Sequence, residues 1–231
     1  MREFLTSSSY FGLVITIFAF EIGLWVRRKL KHSVFNPMLI AIALLIPLLL
    51  ALDIEPASYS AAGADHLSYL LTPATVCLAI PLYEQVELLK KNWKAIFAGI
   101  LSGVLTSCVC ILVLSRLFRL NHEMYVTLLP KSITTAIGMG VSEELEGIVT
   151  ITVAVIIITG VLGNVLADFV CKLFHITEPI AKGIGIGSAA HAIGTAKALE
   201  MGEVEGAMSS LSIAIAGILT VIMAPLFSGL Y

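Results

Sequence analysis

Two short stretches of this 231-residue chain set ionisable and hydroxyl side chains in otherwise apolar surroundings. The first, LLPKSITTAIG at 128–138, carries Lys131 beside Ser132, Thr134 and Thr135. The second, GIGIGSAAHAIGTAK at 183–197, carries His191 with Ser188, Thr195 and Lys197. A lysine ammonium flanked by hydroxyls and by the free N–H groups of a helix start is a donor set for a small anion, above all a carboxylate. Pro130 suits the first position of such a helix, so the run predicts a helix that begins there, with Lys131 in its first turn. The His191 imidazole could donate a hydrogen bond to a substrate or carry a proton. Each residue also has a plainer reading. Lys131 could snorkel from a helix end to the headgroups, and His191 could be a packing residue among glycines that let helices approach closely.

Other polar residues suggest less. Glu84, just after Pro81-Leu82-Tyr83, is a further candidate for proton or ion coupling, whereas Glu21 and Asp168 lie near the ends of apolar runs, where charges are ordinarily interfacial. There is no Ser/His/Asp arrangement, no carboxylate pair at catalytic spacing and no His/Glu metal motif in the sequence. Movement of a substrate is therefore expected rather than chemistry on it: no enzyme, no cofactor, no metal. Cys77, Cys108, Cys110 and Cys171 all fall in apolar segments without a Cys-x-x-Cys pair, and are expected to be small buried hydrophobes.

The elements that must hold these residues follow from composition. The chain is 58% hydrophobic and 13% charged, with mean hydropathy +0.98, against about 45–50% and about 25% in soluble domains. Soluble enzymes, nucleic-acid binders and disulfide scaffolds are thereby disfavoured. Ser33–Leu52, Ala95–Ser115, Gly147–Ala167 and Gly206–Tyr231 hold 20, 21, 21 and 26 residues without Asp, Glu, Lys or Arg. A bilayer core of ~30 Å needs ~20 helical residues. A fifth run, Phe11–Val26, is interrupted only by Glu21, and the basic residues Arg27, Arg28, Lys29 and Lys31 after it place the first loop in the cytoplasm and argue against a signal peptide. The runs are continuous rather than alternating, so helices are expected and not a barrel.

Between the clean runs lie three broken ones, Leu67–Tyr83, Met124–Val141 and Gly183–Ala198, which carry prolines or clustered glycines. Such backbone is tolerated at membrane depth only where protein buries it or where it lines a wet cavity. The breaks recur with the spans. Gly103-Val104-Leu105, Gly160-Val161-Leu162 and Gly217-Ile218-Leu219 are spaced by 57 and 57; Ala79-Ile80, Ala136-Ile137 and Ala192-Ile193 by 57 and 56; Leu71-Thr72-Pro73 matches Leu128-Leu129-Pro130 at 57. This implies an internal repeat of one broken segment, a charged linker and one full span. If the broken segment spans, successive units stay parallel; if it re-enters on its own side, they are inverted. The acidic Glu143, Glu144 and Glu146 against the basic Lys172 and Lys182 favour re-entry for the last two units, a scheme in which Arg116 and Arg119 fit poorly. The expected architecture is an all-α polytopic membrane protein of about six full spans plus broken or re-entrant segments. It forms a single membrane domain over 1–231, with N-terminal spans in 1–66 and a repeat-containing core in 67–231.

Four stretches of the chain resemble the LrgB/CidB family of bacterial membrane proteins: TPATVCLAIPLYEQ at 72–85, LLPKSITTAIG at 128–138, GIGSAAHAIGTAKALE at 185–200 and EGAMSSLSIAIAGILT at 205–220. The resemblance runs from Asn36-Pro37 to near the C-terminus; Ala136 and Ala190 stand where relatives often carry proline and serine. It implies a multi-pass protein of the bacterial plasma membrane and two descriptions of function. One is an antiholin-like protein that works with a small holin-like LrgA/CidA partner to restrain murein hydrolases and lysis. The other is a carrier of small monocarboxylates of the pyruvate, glycolate and glycerate class, which the residues themselves favour. Lys131 would then neutralise the carboxylate, Ser132, Thr134 and Thr135 would orient it, and His191, with Ser188 and Thr195 nearby, would bond the 2-hydroxyl or 2-oxo group or carry a proton. An elevator-like sliding of the 124–141 and 183–198 core is the further expectation; the lipid bilayer is an expected partner, a homo-oligomer is a further option, and nucleic acid is not expected.

Overall fold

The computed structural model of the chain describes residues 7–30, 35–70, 73, 76, 77 and 79–231. Leu71 and Thr72, two of the three residues of one repeat match, lie outside them. The described residues are helical and turn-forming throughout, and the chain divides into two compact units, Met1–Cys77 and Leu78–Tyr231.

The first unit is a helical hairpin closed by short turns. Helix α1 (Phe11–Leu30) ends in Arg27, Arg28 and Lys29, cations suited to a helix C-terminus. Helix α2 (Pro37–Ala51) is started by Asn36, whose side chain accepts from the Met38 and Leu39 amides at 2.8 and 3.4 Å, with proline at the first position. Gly23 lets α1 meet α2: a methyl there would stand 2.5 Å from the Pro37 carbonyl oxygen. Helix α3 (Pro56–Ala61) and a 3₁₀ turn (Ala64–Leu70) fold back on α1, where the Gly12 amide donates to the Ala62 carbonyl at 2.8 Å and Thr16 bonds the Tyr59 hydroxyl.

The second unit follows the repeat. After a short helix α4 (Ala79–Glu84), three long helices run its length: α5 (Val86–Leu117), α8 (Val149–Leu173) and α10 (Glu203–Ser228). Each is long and apolar enough to cross a membrane, and they carry the three repeat glycines Gly103, Gly160 and Gly217. Of the six full spans expected, these are the three that meet the length and charge requirement among the described residues. Helix α2, at 15 residues, is shorter.

The two later broken segments are hairpins; parts of the earliest one, 67–83, lie outside the described residues. The first joins α6 (His122–Leu128) to α7 (Thr135–Glu144) through a tip at residues 129–134. The second is α9 (Pro179–Met201), which is not one rod: His191 at φ 41°, ψ −140° divides it into two legs. A methyl on Gly194 would lie 3.2 Å from the carbonyl oxygen of Ile186, eight residues earlier, and one on Gly138 would lie 3.5 Å from that of Pro130, also eight earlier. Eight residues span about 12 Å along a straight helix, so in both places the chain has turned back on itself. Ile186 and Ala198 accordingly share a core cluster with Ala167. Helix resumes at Thr135 in one hairpin and after His191 in the other, 57 residues apart, the spacing of the sequence repeat.

Both hairpins enter and leave at one end of the bundle, and the two ends are opposite. The base of the second lies beside the starts of α5 and α10: Lys182 reaches Glu205, Gly183 abuts the Glu205 backbone, and Leu89, Ile180 and Val204 pack on one cluster. The base of the first lies beside the other end of α10, where Tyr125 donates to the Phe227 carbonyl at 2.8 Å and packs with Ala224. Helix α8 joins them, with Thr152 of its first turn against Thr127 and Cys171 of its last turn beside Lys182. The last two repeats thus each cross once, and they are inverted relative to one another.

Lys90, Lys91, Lys94, Lys172, Lys182 and Lys197 stand toward the base of the second hairpin, against Arg116 and Arg119 at the other end. The positive-inside rule makes that base cytoplasmic. Single cysteines placed at Glu146 and His175 in a cysteine-free background are expected to react with an impermeant maleimide from opposite faces of oriented vesicles, His175→Cys from the cytoplasmic one. Labelling of both from one face would refute the inverted arrangement.

Candidate functional site

Where the hairpin tips meet α5 there is a cavity of about 390 Å³, within the range of small-ligand pockets, about 300–1,000 Å³. One wall is a stripe of α5: Gly99, Ser102, Gly103, Thr106, Ser107 and Cys110. Lys131 and Ser132 come from the first tip, and Ile184, Gly185, Ser188 and Ala189 from the second hairpin's first leg. Lys131 and Ser188 are 57 positions apart, so the repeat presents two equivalent positions to one space, one a cation and one a neutral hydroxyl.

The local chain explains how Lys131 arrives there. The expected helix start at Pro130 is not where the helix begins. Residues 129–134 form consecutive turns, with the Lys131 amide on the Leu128 carbonyl (3.1 Å) and that of Ile133 on Pro130 (3.4 Å), and α7 starts five residues later at Thr135. These turn bonds satisfy the backbone that Pro130 interrupts, and Thr134, extended at φ −64°, ψ 148°, becomes the cap. Lys131 is half-buried; its Nζ donates to Ser132 Oγ at 2.9 Å, which lies 3.2 Å from Ser107 Oγ. Among the described residues no carboxylate stands within ion-pair reach of Lys131, whereas Lys182 and Lys197 face Glu205 and Asp168 at 3.9 and 2.6 Å. A cation at membrane depth without a counter-charge, opening on a hydroxyl-lined cavity, favours an anion.

The other expected residues divide. Ser188 lines the cavity with Lys131 and Ser132; Thr134, Thr135, His191 and Thr195 do not. The His191 ring turns to α8, where Nε2 lies 3.0 Å from the Ile156 carbonyl oxygen. That oxygen can only accept, so Nε2 carries the hydrogen. Thr195 donates to the His191 carbonyl at 3.0 Å and meets Ser209 Oγ at 2.7 Å. His191 and Thr195 thus close the second tip from within. Glu84 is exposed at the end of α4, away from the cavity lining. Cys108 and Cys171 are buried as expected, but Cys77 and Cys110 are exposed: Cys110 sits on the cavity face of α5 rather than its packed face.

Sequence reasoning missed the α5 wall. Ser102, Gly103, Thr106, Ser107 and Cys110 fall at i, i+1, i+4, i+5 and i+8, a stripe of small or polar side chains in an otherwise apolar span. That period was the available signal. Among the described residues no cluster of His, Cys, Asp and Glu could hold a metal ion.

An all-helical, multi-pass bundle with inverted hairpins around a cavity that holds one lysine and several hydroxyls defines the class: a polytopic membrane protein. Its kinship is specific. The LrgB-like family profile matches residues 16–230. Proteins named antiholin-like protein LrgB are similar over 226 residues, 96% of either chain: that of Bacillus mycoides (strain KBAB4) at 37% identity, and those of Bacillus cereus (strain B4264) and Bacillus anthracis (strain CDC 684 / NRRL 3495) at 36%. The chain belongs to the LrgB-like family. No solved structure matches it.

The second tip is tightly built, and Gly160 shows it. A methyl there would stand 2.8 Å from His191 Cε1 and 2.9 Å from Nε2, on a ring already held by Ile156. Gly160→Ala is expected to destabilise the purified protein by about 1–3 kcal/mol, read as a lower midpoint in a thermal melt in detergent. Gly140→Ala, with nothing within 4 Å, should be neutral or slightly stabilising. An unchanged midpoint for Gly160→Ala would mean that the His191 ring is not fixed as described.

Proposed function

We propose that this chain carries small monocarboxylates of the pyruvate, glycolate and glycerate class across a bacterial plasma membrane, in concert with a small holin-like LrgA partner. The observation that carries the reading is the Lys131 ammonium, which among the described residues has no carboxylate within ion-pair reach and faces a cavity lined in part by serine and threonine hydroxyls. In this reading Lys131 neutralises the substrate carboxylate and Ser132, steadied by Ser107, orients it. Thr134 and Thr135, with the α7 start they form, sit behind the binding surface, and His191 acts by holding the tip in shape. Inverted repeats around a central site suit a carrier that opens alternately to the two faces, and an elevator-like slide of the hairpins against the other helices is one form of that motion.

Kinship favours a second reading more strongly than it favours transport. The relatives at 36–37% identity bear the name antiholin-like protein, which points to a regulator that restrains a holin-like channel and so controls lysis. Such a regulator would act through helix packing and has no need of an unpaired lysine in a cavity.

Uptake of labelled pyruvate or glycolate into proteoliposomes, with and without the LrgA-like partner, separates the two. The carrier reading expects saturable uptake that falls at least about tenfold in Lys131→Ala, the loss of one charge-assisted contact. Absence of uptake by the wild type in both preparations, with lysis restrained equally by wild type and Lys131→Ala in cells, would reject the carrier and leave the regulator.

A further inference from the structure

A second cavity, of about 280 Å³, lies between α8 and the first leg of the second hairpin. Helix α8 gives it one face, with Gly163, Leu166, Val170 and Cys171 at i, i+3, i+7 and i+8. The leg gives Ala181, Gly185 and Ala189, three small exposed residues one turn apart. The two helices touch at the tip end, where a methyl on Gly163 would stand 2.3 Å from Ala190 Cβ. Further down they leave room, since a methyl on Gly185 would meet nothing within 4 Å. Leu166 and Val170 are 44% and 38% exposed, so the cavity opens sideways on the surface that α8 presents to lipid.

Its polarity is graded with depth. The one charged residue of the lining is Lys182, at the base that the positive-inside rule makes cytoplasmic, and from Cys171 to Gly163 the walls carry no charge. Those two residues are eight apart, about 12 Å of helix, most of the ~15 Å that one leaflet contributes to a ~30 Å hydrocarbon core. Lys182 Nζ has Glu205 at 3.9 Å, longer than a hydrogen bond, so its three donors remain open to a further acceptor. Asp168, the other acid nearby, is taken by Lys197 at 2.6 Å. Lys172, exposed at the end of α8, adds a second cation next to Cys171. A small anion would need the lysine without the apolar walls, and a plain hydrocarbon the walls without the lysine. An ammonium at headgroup depth, leading to an apolar slot nearly as long as a leaflet is thick, follows the order of a lipid, phosphate first and acyl chain after. We propose that this cavity seats an acyl chain of an anionic phospholipid of the cytoplasmic leaflet, with the phosphate on Lys182. The chain fills the wedge between α8 and the second hairpin, against Gly185 and Ala189, which also wall the Lys131 cavity. The inference does not depend on what the Lys131 cavity binds.

Cys171 reports occupancy from inside the slot, and Cys110, which lines the other cavity, is its control. Purified, delipidated full-length protein in detergent would be given phosphatidylglycerol, phosphatidylcholine or oleate. Modification of each cysteine by N-ethylmaleimide would then be followed by peptide mass spectrometry. Phosphatidylglycerol should halve the Cys171 rate at a concentration about fivefold below phosphatidylcholine, the effect of one lysine near an anionic headgroup, with Cys110 unchanged. In Lys182→Gln the two phospholipids should converge to within about twofold. In Gly185→Leu, whose side chain enters the slot, neither should slow Cys171 further, and this variant supplies the readout if Lys182→Gln does not fold. No protection by any of the three, equal protection by both phospholipids in the wild type, or an unchanged ratio in Lys182→Gln would overturn the proposal. So would protection that survives Gly185→Leu, or a parallel slowing of Cys110. Protection by oleate at or below the phosphatidylglycerol concentration would overturn the phospholipid assignment in favour of a free fatty acid.

Discussion

A helix interrupted inside a bilayer exposes backbone N–H and C=O groups that lipid cannot satisfy, and the second unit is organised around that constraint. Both interruptions are kept inside the protein, walled by α5, α8 and α10. Lipid gives no hydrophobic force between helices, so small residues and hydrogen bonds must do the holding. Gly183 and Gly187 bring the second hairpin so near α10 that a methyl on either would stand 2.5 Å from the carbonyl oxygens of Glu205 and Ser209. The repeat glycines do related work on separate helices: Gly103 meets Ser188, Gly160 meets the His191 ring and Gly217 meets Ile137. The conformation of His191, at φ 41°, is one that side chains rarely adopt and costs of order 1–3 kcal/mol. The Ile156 carbonyl and the packed α8 backbone hold it in place.

The two hairpins meet the same demand with different chemistry. The first is tied to α8 by neutral hydroxyls: Thr152 donates to the Thr127 carbonyl at 2.9 Å and to Ser142 at 2.7 Å, and Thr127 Oγ1 accepts from the Ile148 amide at 2.8 Å. The second is tied by charge. Lys197 of its returning leg pairs with Asp168 of α8 at 2.6 Å, and Lys182 of its first leg stands 3.9 Å from Glu205 of α10. Losing one partner of a largely buried pair typically costs about 3–5 kcal/mol; the Asp168 side chain is 34% exposed, so water screens part of that cost here. Lys182 and Lys197 are thus structural fasteners, whereas Lys131 has no carboxylate within ion-pair reach among the described residues.

Much of this was legible in the sequence, for identifiable reasons. The uncharged runs at 95–115, 147–167 and 206–231 became α5, α8 and α10, because length and charge alone decide what spans. The 57-residue spacing was visible because the glycines it repeats sit at close approaches to the hairpins. Lys131 stood out because a charge at depth is costly. The place of the helix start was not legible: Pro130 is equally at home in a turn, and the choice was made by bonds from the Lys131 and Ile133 amides. Nor was the direction of the His191 ring, since a partner 35 residues away in sequence leaves no local pattern. The sequence also left open whether α9 was a rod or a hairpin, since its glycines serve either.

A hairpin followed by a single crossing has a further consequence. Such a unit ends on the face opposite the one where it began, so a tandem copy can only be laid down inverted. Helices α5 and α10 therefore point the same way, with α8 against them. A duplicated block of this kind has no preferred way up by shape. Its orientation must come from a bias in the loops, and the lysines at 90, 91 and 94, outside both hairpins, are placed to supply it. On this view the direction in which the site faces the cell was settled by a short run of charges that never touches the site.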